Sequence, residues 1–248
     1  MITIKSEHEI ELMRKAGKIL AQTLQLVEEH AKVGVSTAEL DKLAHEFILS
    51  NNSIPSFKGY NGYPGSICAS LNNEVVHGIP GPRKLGDGDI IGVDIGVCYE
   101  GYHADAARTF LIGNVSDEAK RLVEVTKQSF FEGIKYACAD NRIGDISGAI
   151  QRFVEENGYS VVRDLIGHGV GAKLHEDPDV PNFGTPGRGL RLKSGMTLAI
   201  EPMVNVGDYA IRQLKDGWTI VTKDNSLSAH YENTIVVREG ECEILTLY

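Results

Sequence analysis

Residues 89–113 read DIIGVDIGVCYEGYHADAARTFLIG. Two runs rich in Ile, Val, Ala and Phe flank Tyr99-Glu100-Gly101, which predicts two strands joined near that point. Each run carries an aspartate, Asp94 in IIGVDIGV and Asp105 in YHADAARTF. Surface acids usually sit among polar neighbours. An isolated carboxylate buried among apolar ones costs roughly several kcal/mol and so needs a cation, a metal or a bound proton. The same signature recurs at Glu201 in LAIEPMV and at Glu232 in HYENTIVV. Arg108 is the exception to a local shortage of basic partners. One such acid is as well read as an ordinary salt bridge; four together weaken that reading.

Outward from this hairpin the pattern is mixed. Residues 6–30 read as a helix, with Ser6 and Glu9 as a capping box and Ile10, Met13, Leu20, Leu24 and Val27 at helical spacing. Ser36 and Glu39 open a second helix, with Leu40, Leu43, Ala44 and Phe47 on one face. Residues 51–66, rich in Asn, Ser, Gly, Pro and Tyr, read as a loop. ICASLNNEVVHGI reads as strand with a turn at Asn72-Asn73, and residues 116–138 return to helical spacing. The second half repeats the order faintly. Ile143-Gly144 precedes the helix SGAIQRFVEENG as Val33-Gly34 precedes the helix at 37–50, and Ile150 and Phe153 fall where Leu40 and Leu43 did. Strand runs MTLAIEPMV, DGWTIVTKD and HYENTIVV follow. This order predicts an antiparallel α+β layout of two similar halves around a central site, rather than a doubly wound parallel sheet.

Composition narrows the function classes. Asp and Glu number 34 against 25 Lys and Arg, a net charge of −9, which disfavours a general nucleic-acid binder. No apolar run approaches the roughly 18 residues that span a membrane, and the first residues lack a signal-peptide core; a cytoplasmic protein is expected. Cys68, Cys98, Cys138 and Cys242 contain no C-x-x-C pair, so free thiols are expected. H-E-x-x-H, G-x-S-x-G and the P-loop are absent. GHGVGA at 167–172 fits a loose dinucleotide fingerprint, but KLHEDPDVPNFG after it holds two prolines and starts no helix.

Three histidines stand beside turn residues: His77 in EVVHGIP, His168 in GHGVG and His175 in KLHEDP. Four carboxylates and one imidazole suit two divalent ions, Mn²⁺, Fe²⁺ or Co²⁺ before Zn²⁺. Bridging carboxylates hold such a pair roughly 3.5–4 Å apart and acidify a water between them, the equipment for metal-assisted hydrolysis.

Asp94, Asp105, His168, Glu201 and Glu232 resemble, in order and context, the five metal ligands of the methionine aminopeptidases. NEVVHGIP, DIGVCYEGYHAD, GHGVG, HEDP, IEP and YENTIVV all fit, and the likeness covers essentially the whole chain. It implies the pseudo-twofold pita-bread fold as a single catalytic domain over 1–248. The short span from Glu201 to Glu232 matches the bacterial type I form. The resemblance implies that Asp94 chelates one metal, that Asp105 and Glu232 bridge the pair, and that His168 and Glu201 complete the ligand set of the other metal. It implies a catalytic trio of His77, His175 and Glu201. His77 would assist proton movement, His175 would hydrogen-bond the substrate amide and the developing tetrahedral oxyanion, and Glu201 would help deprotonate the attacking water. A methionine pocket would comprise Tyr60, Tyr63, Cys68, Leu174 and Trp218, with Phe57 beside it. Leu174 departs from the Phe frequent in bacterial relatives. Cofactors implied are two divalent ions (Co, Mn, Fe or Zn) and a monovalent cation near Asn72 and Glu74. Implied partners are nascent polypeptide N-termini and the ribosome, for a monomer that binds neither membrane nor nucleic acid directly. The alternatives are a metallopeptidase with another N-terminal preference and a non-catalytic pita-bread binding protein.

Overall fold

The computed structural model describes residues 2–247. Four long helices lie in two pairs, α1 (Glu7–His30) with α2 (Thr37–Ser50) and α3 (Asp117–Ile134) with α4 (Ile143–Glu156). Both predicted capping boxes form: Ser6 with Glu9 opens α1, and Ser36 with Glu39 opens α2. Every ladder between named strands is antiparallel. None of the described helices is long and apolar enough to cross a membrane.

The quoted hairpin is built as its sequence predicts. Strand Ile90–Tyr99 pairs with Tyr102–Leu111 across a two-residue turn at Glu100-Gly101, where φ is 48° and 84°. Ile91, Val93, Ile95 and Val97 point to one face and pack with Leu20, Leu24, Leu40 and Ile48 of α1 and α2. The alternate positions Gly92, Asp94 and Gly96 face the other way. In the second half, Leu198, Ile200 and Ile235 pack with Leu122, Phe130, Ile146 and Ile150 of α3 and α4. Ala199 and Glu201 are left on the opposite face. Each half is thus a helix layer on a sheet, with acids on the uncovered side.

Backbone hydrogen bonds show the pseudo-twofold directly. The Gly88 amide donates to Ile112 and the Ile112 amide to Asp89; the Gly195 amide donates to Val237 and the Val237 amide to Met196. Isolated bridges join Ser36 to Lys84 and Arg142 to Arg191 in the same way, each from the residue that caps a second helix. This equivalence places Asp94 and Glu201 at matching positions. It also corrects the repeat register. Cap Arg142 matches cap Ser36, so Ile146 and Ala149, not Ile150 and Phe153, take the places of Leu40 and Leu43. The expected register was wrong by one helical turn, and α4 starts at Ile143, ahead of the predicted SGAIQRFVEENG.

Two predicted strands are broken. MTLAIEPMV divides into Thr197–Ile200 and Met203–Asn205, and HYENTIVV divides into Ser228–His230 and Asn233–Val236. Pro202 has no amide to donate, so the ladder cannot continue through it. Past each break the chain enters a different sheet, which leaves Glu201 and Glu232 at the crossing points. The predicted loop at 51–66 holds only a two-residue strand and one 3₁₀ turn. Strands Glu176–Val180 and Ile211–Gln213 had no clear sequence signal.

Gly17 on α1 lies against the backbone of Leu245, and a Cβ there would run into the Leu245 carbonyl oxygen. Gly17→Ala is expected to destabilise the protein by about 1–3 kcal/mol, the usual range for overpacking. Urea unfolding checks this; an unchanged midpoint would mean the C-terminal segment does not dock on α1.

Candidate metal centre

Sheet register brings the acids together. Asp94 is paired opposite Ala107, and Asp105 lies two residues from Ala107 on the same face, so the aspartates are diagonal neighbours. His168 is opposite Ala199, two residues before Glu201. Glu232 joins the halves: its amide donates to the Ala107 carbonyl at 3.0 Å. Thr234 Oγ1 receives the Asp105 amide and donates to the Asp105 carbonyl, both at 2.8 Å. The Arg108 guanidinium is spent on backbone and amide oxygens, among them Glu232 O at 2.6 Å and Asn233 Oδ1 at 2.8 Å. It ties strands together, and its charge only partly offsets the burial that raises Glu232.

His168 Nε2 lies 4.0 Å from Asp105 Oδ2 and 3.7 Å from Glu201 Oε1. Its Nδ1 is 2.8 Å from the Gly169 carbonyl, which can only accept, so Nδ1 carries the proton. The Nε2 lone pair then faces two carboxylates. Asp94 Oδ1, Asp105 Oδ1 and Glu232 Oε1 are buried without a hydrogen-bond partner. Negative oxygens and a lone pair converging on one space need a cation at their centre. Ligand atoms of Asp105, His168 and Glu232 all lie within 4.8 Å of one another. The donor set, oxygen-rich with one imidazole, fits a divalent ion. Asp105, His168 and Glu232 would hold it, with Asp94 and Glu201 alongside.

The electrostatics agree. Burial pushes Glu201 up to about 8. Burial also raises Asp94 to about 7, against the pull of His230 and with the Glu201 charge adding to the rise. Asp105 and Glu232 sit well above the carboxylate range, through burial first and neighbouring carboxylates next. Burial drives His168 down to about 3 and His77 to about 4, so both imidazoles are neutral near pH 7.

The cluster opens into a cavity of about 810 Å³. Every metal ligand, catalytic residue and pocket residue expected from the sequence lines it: the four acids and His168, His77, His175, Tyr60, Tyr63, Cys68, Leu174 and Trp218, with Phe57. Phe57, Tyr63, Cys68 and Leu174 form one buried apolar cluster with Trp218 packed on it. The Tyr63 and Trp218 rings meet edge to face, centroids 5.0 Å apart. Cys68 pairs opposite Asp94, and burial with that nearby charge keeps its thiol protonated. His175 is exposed to the cavity, its ring 4.1 Å from that of His168 and its Nδ1 2.8 Å from the Tyr60 hydroxyl. His77 has a φ of 60°, a strained value for a histidine, at the cavity wall. The side chains of Asn72 and Glu74 are engaged by protein partners, Asn72 with Asp89 and Ile90 and Glu74 with Leu71 and Arg83.

Sequence reading missed several residues. Leu165, Ile166 and Met203 line the cavity as plain apolar residues and carry no local signal. Asp164, Asp177 and Asp179 line it as well. His230 lies behind the carboxylates, 3.6 Å from Glu201 Oε2. It sits inside the quoted HYENTIVV, where the neighbouring glutamate drew the attention.

An open cavity beside a carboxylate-rich, imidazole-bearing cluster defines the class, a metal-dependent hydrolytic site. The profile of metallopeptidase family M24 matches residues 11–239. A methionine aminopeptidase of Clostridium perfringens is 58% identical over 247 residues, covering 100% of this chain and 99% of the relative. The crystal structure of a methionine aminopeptidase from Thermotoga maritima superposes with a TM-score of 0.98 at 46% identity, covering 100% of both chains. An X-Pro aminopeptidase from the same organism shares the fold at a TM-score of 0.76 and 22% identity, with 99% of this chain matched to 62% of that one. The chain belongs to metallopeptidase family M24, has its pita-bread fold, and groups within it with the bacterial type I methionine aminopeptidases.

These acids bind protons more tightly in the fold than in the unfolded chain, where carboxylates titrate near 3.8–4.5. The metal-free protein should therefore lose stability as pH rises from that range through about 7 and 8. A divalent ion needs the deprotonated acids, so its affinity should rise over the same interval and its binding should release protons. Melting curves from pH 5 to 8, with and without Mn²⁺, test this. A metal-free melting temperature that climbs across that range would contradict the burial assigned to the four acids.

Proposed function

We propose that this chain removes N-terminal methionine from nascent polypeptides by metal-assisted hydrolysis, with a small second residue preferred. The observation that carries the reading is the apolar Phe57–Tyr63–Cys68–Leu174–Trp218 pocket opening beside the carboxylate cluster. Aromatic faces and a thiol suit the polarizable methionine thioether. Leu174, with no ring, makes its part of the wall aliphatic.

Two divalent ions, drawn from Co, Mn, Fe and Zn, are the proposed occupants of the cluster. When bound they supply Lewis acidity, polarising the scissile carbonyl and lowering the pKa of water. The remaining work falls to side chains. Asp94, Asp105, His168, Glu201 and Glu232 would form the cradle for the ions, and a free substrate amine is a ligand for ions held there while an internal amide is not, which restricts the reaction to chain ends. Glu201, ionised once the ions are held, would take a proton from the attacking water. His175 faces the cavity within reach of the same space and donates to the carbonyl oxygen as it becomes an oxyanion. Tyr60 holds His175 through Nδ1. His77, neutral near pH 7, stands at the wall to relay the proton to the departing amine. Both halves contribute donors to the one site, which supports a single catalytic unit. The same reading carries a cytoplasmic monomer acting on chains as they leave the ribosome.

Glu201→Ala should abolish cleavage of Met-Ala-Ser while circular dichroism stays native. His175→Ala should lower kcat about 100- to 1,000-fold, the usual effect of removing one oxyanion donor. Its metal affinity should change far less. Initial rates on Met-Ala-Ser against Xaa-Pro peptides decide the specificity, and faster cleavage before proline would overturn the proposal.

A further inference from the structure

One buried group near the cluster has no place in the scheme above. His230 is 2% exposed, and its Nε2 is buried without a hydrogen-bond partner. An orphaned ring nitrogen is unfavourable unless something completes it. Two carboxylate oxygens lie close to it, Glu201 Oε2 at 3.6 Å and Glu232 Oε2 at 4.0 Å.

The two oxygens of Glu201 face different histidines. Oε1 faces His168 Nε2, which carries a lone pair because Nδ1 is committed to Gly169. Oε2 faces His230 Nε2 from the other side. His168 lines the cavity and His230 does not. One imidazole therefore meets the site from the front, as a donor of electrons, and the other stands behind the carboxylate.

The His230 backbone is held in place. Its amide donates to Thr109 Oγ1 at 3.0 Å, and the Thr109 hydroxyl donates back to the His230 carbonyl at 2.9 Å. Its strand is registered against Met203. Thr109 belongs to the first half and His230 to the second, so the clamp spans the interface between halves. With this backbone clamped, Nε2 and Oε2 at 3.6 Å need to close by only about 0.4–0.9 Å to reach the roughly 2.7–3.2 Å range of a hydrogen bond.

We propose that His230 is a positioning residue: its Nε2–H donates to Glu201 Oε2 and fixes the orientation in which that carboxylate meets a metal ion. This rests on reading the carboxylate cluster as a metal centre. Partners of ligating carboxylates and imidazoles hold them in orientation, and their loss costs about 10- to 100-fold in metal affinity or activity. A glutamine amide can reach where Nε2 lies and can donate. An asparagine amide stops a bond short, and a leucine fills the space without donating.

Co²⁺ titration of the metal-free full chain, wild type against His230→Leu, His230→Asn and His230→Gln, tests this calorimetrically. Melting curves of the same metal-free proteins verify the fold, and His230→Asn serves if His230→Leu does not fold. The expected result is a 10- to 100-fold loss of Co²⁺ affinity for Leu and Asn, with Gln recovering most of it. On Met-Ala-Ser, kcat should fall with affinity while KM at saturating Co²⁺ stays within about threefold of wild type. Affinities of Leu and Asn within twofold of wild type would overturn the proposal. So would equal loss in all three variants, since the effect would then be packing or direct ligation, and so would absence of Co²⁺ binding by the wild type. Wild-type protein that binds Co²⁺ yet leaves Met-Ala-Ser uncut would sink the proposed peptidase function and leave the affinity comparison to decide His230.

Discussion

Like-charged groups are forced together at the centre of this fold. Asp94, Asp105, Glu201 and Glu232 converge from two sheets, and three of their oxygens are buried with no partner. The Arg108 guanidinium hydrogen-bonds backbone and amide oxygens, and its charge offsets only part of the cost at Glu232. In low dielectric, unpaired negative charges of this kind are strongly unfavourable, and the acids answer by holding protons up to pH values near 7 and 8. The scaffold keeps them close by other means. Each sheet is anchored on its far face by a separate apolar core, one with α1 and α2 and one with α3 and α4. Packing thus stabilises a site that repels itself, and a divalent ion relieves the repulsion.

The pseudo-twofold explains why this arrangement is attainable. Asp94 and Glu201 occupy matching positions in the two halves, so one structural solution appears twice. The two halves meet where Glu232 donates to Ala107 and where Thr109 and His230 exchange hydrogen bonds. The symmetry is not carried into the chemistry. His168 and His175 belong to the second half, whereas most of the apolar pocket, Phe57, Tyr63 and Cys68, comes from the first. In the proposed reaction the N-terminal side chain would therefore rest mainly on the first half, beside donors drawn from both.

Much of the site was legible before any fold was known, for a local reason. A carboxylate placed among Ile, Val and Ala is costly unless something binds it, so Asp94, Asp105, Glu201 and Glu232 stood out by their neighbours alone. Helices were legible through capping boxes and spacing, which are also local. The failures have local causes too. Apolar character runs unbroken through LAIEPMV and HYENTIVV, so the strand breaks that present the two glutamates were invisible. Helical faces repeat every turn, so the internal repeat could be aligned one turn out, with Ile150 and Phe153 taken for Ile146 and Ala149.

The sequence by itself determined the chemical identity of the donors, the capped helices and the central hairpin, because these depend on a residue and its near neighbours in the chain. Tertiary structure decided which donors meet. The diagonal pairing of Asp94 with Asp105, the cavity wall formed by Leu165, Ile166 and Met203, and the place of His230 behind Glu201 all depend on strand register and on contacts between distant segments. Those distances are set by how two sheets pack on two cores, and no stretch of sequence encodes them alone.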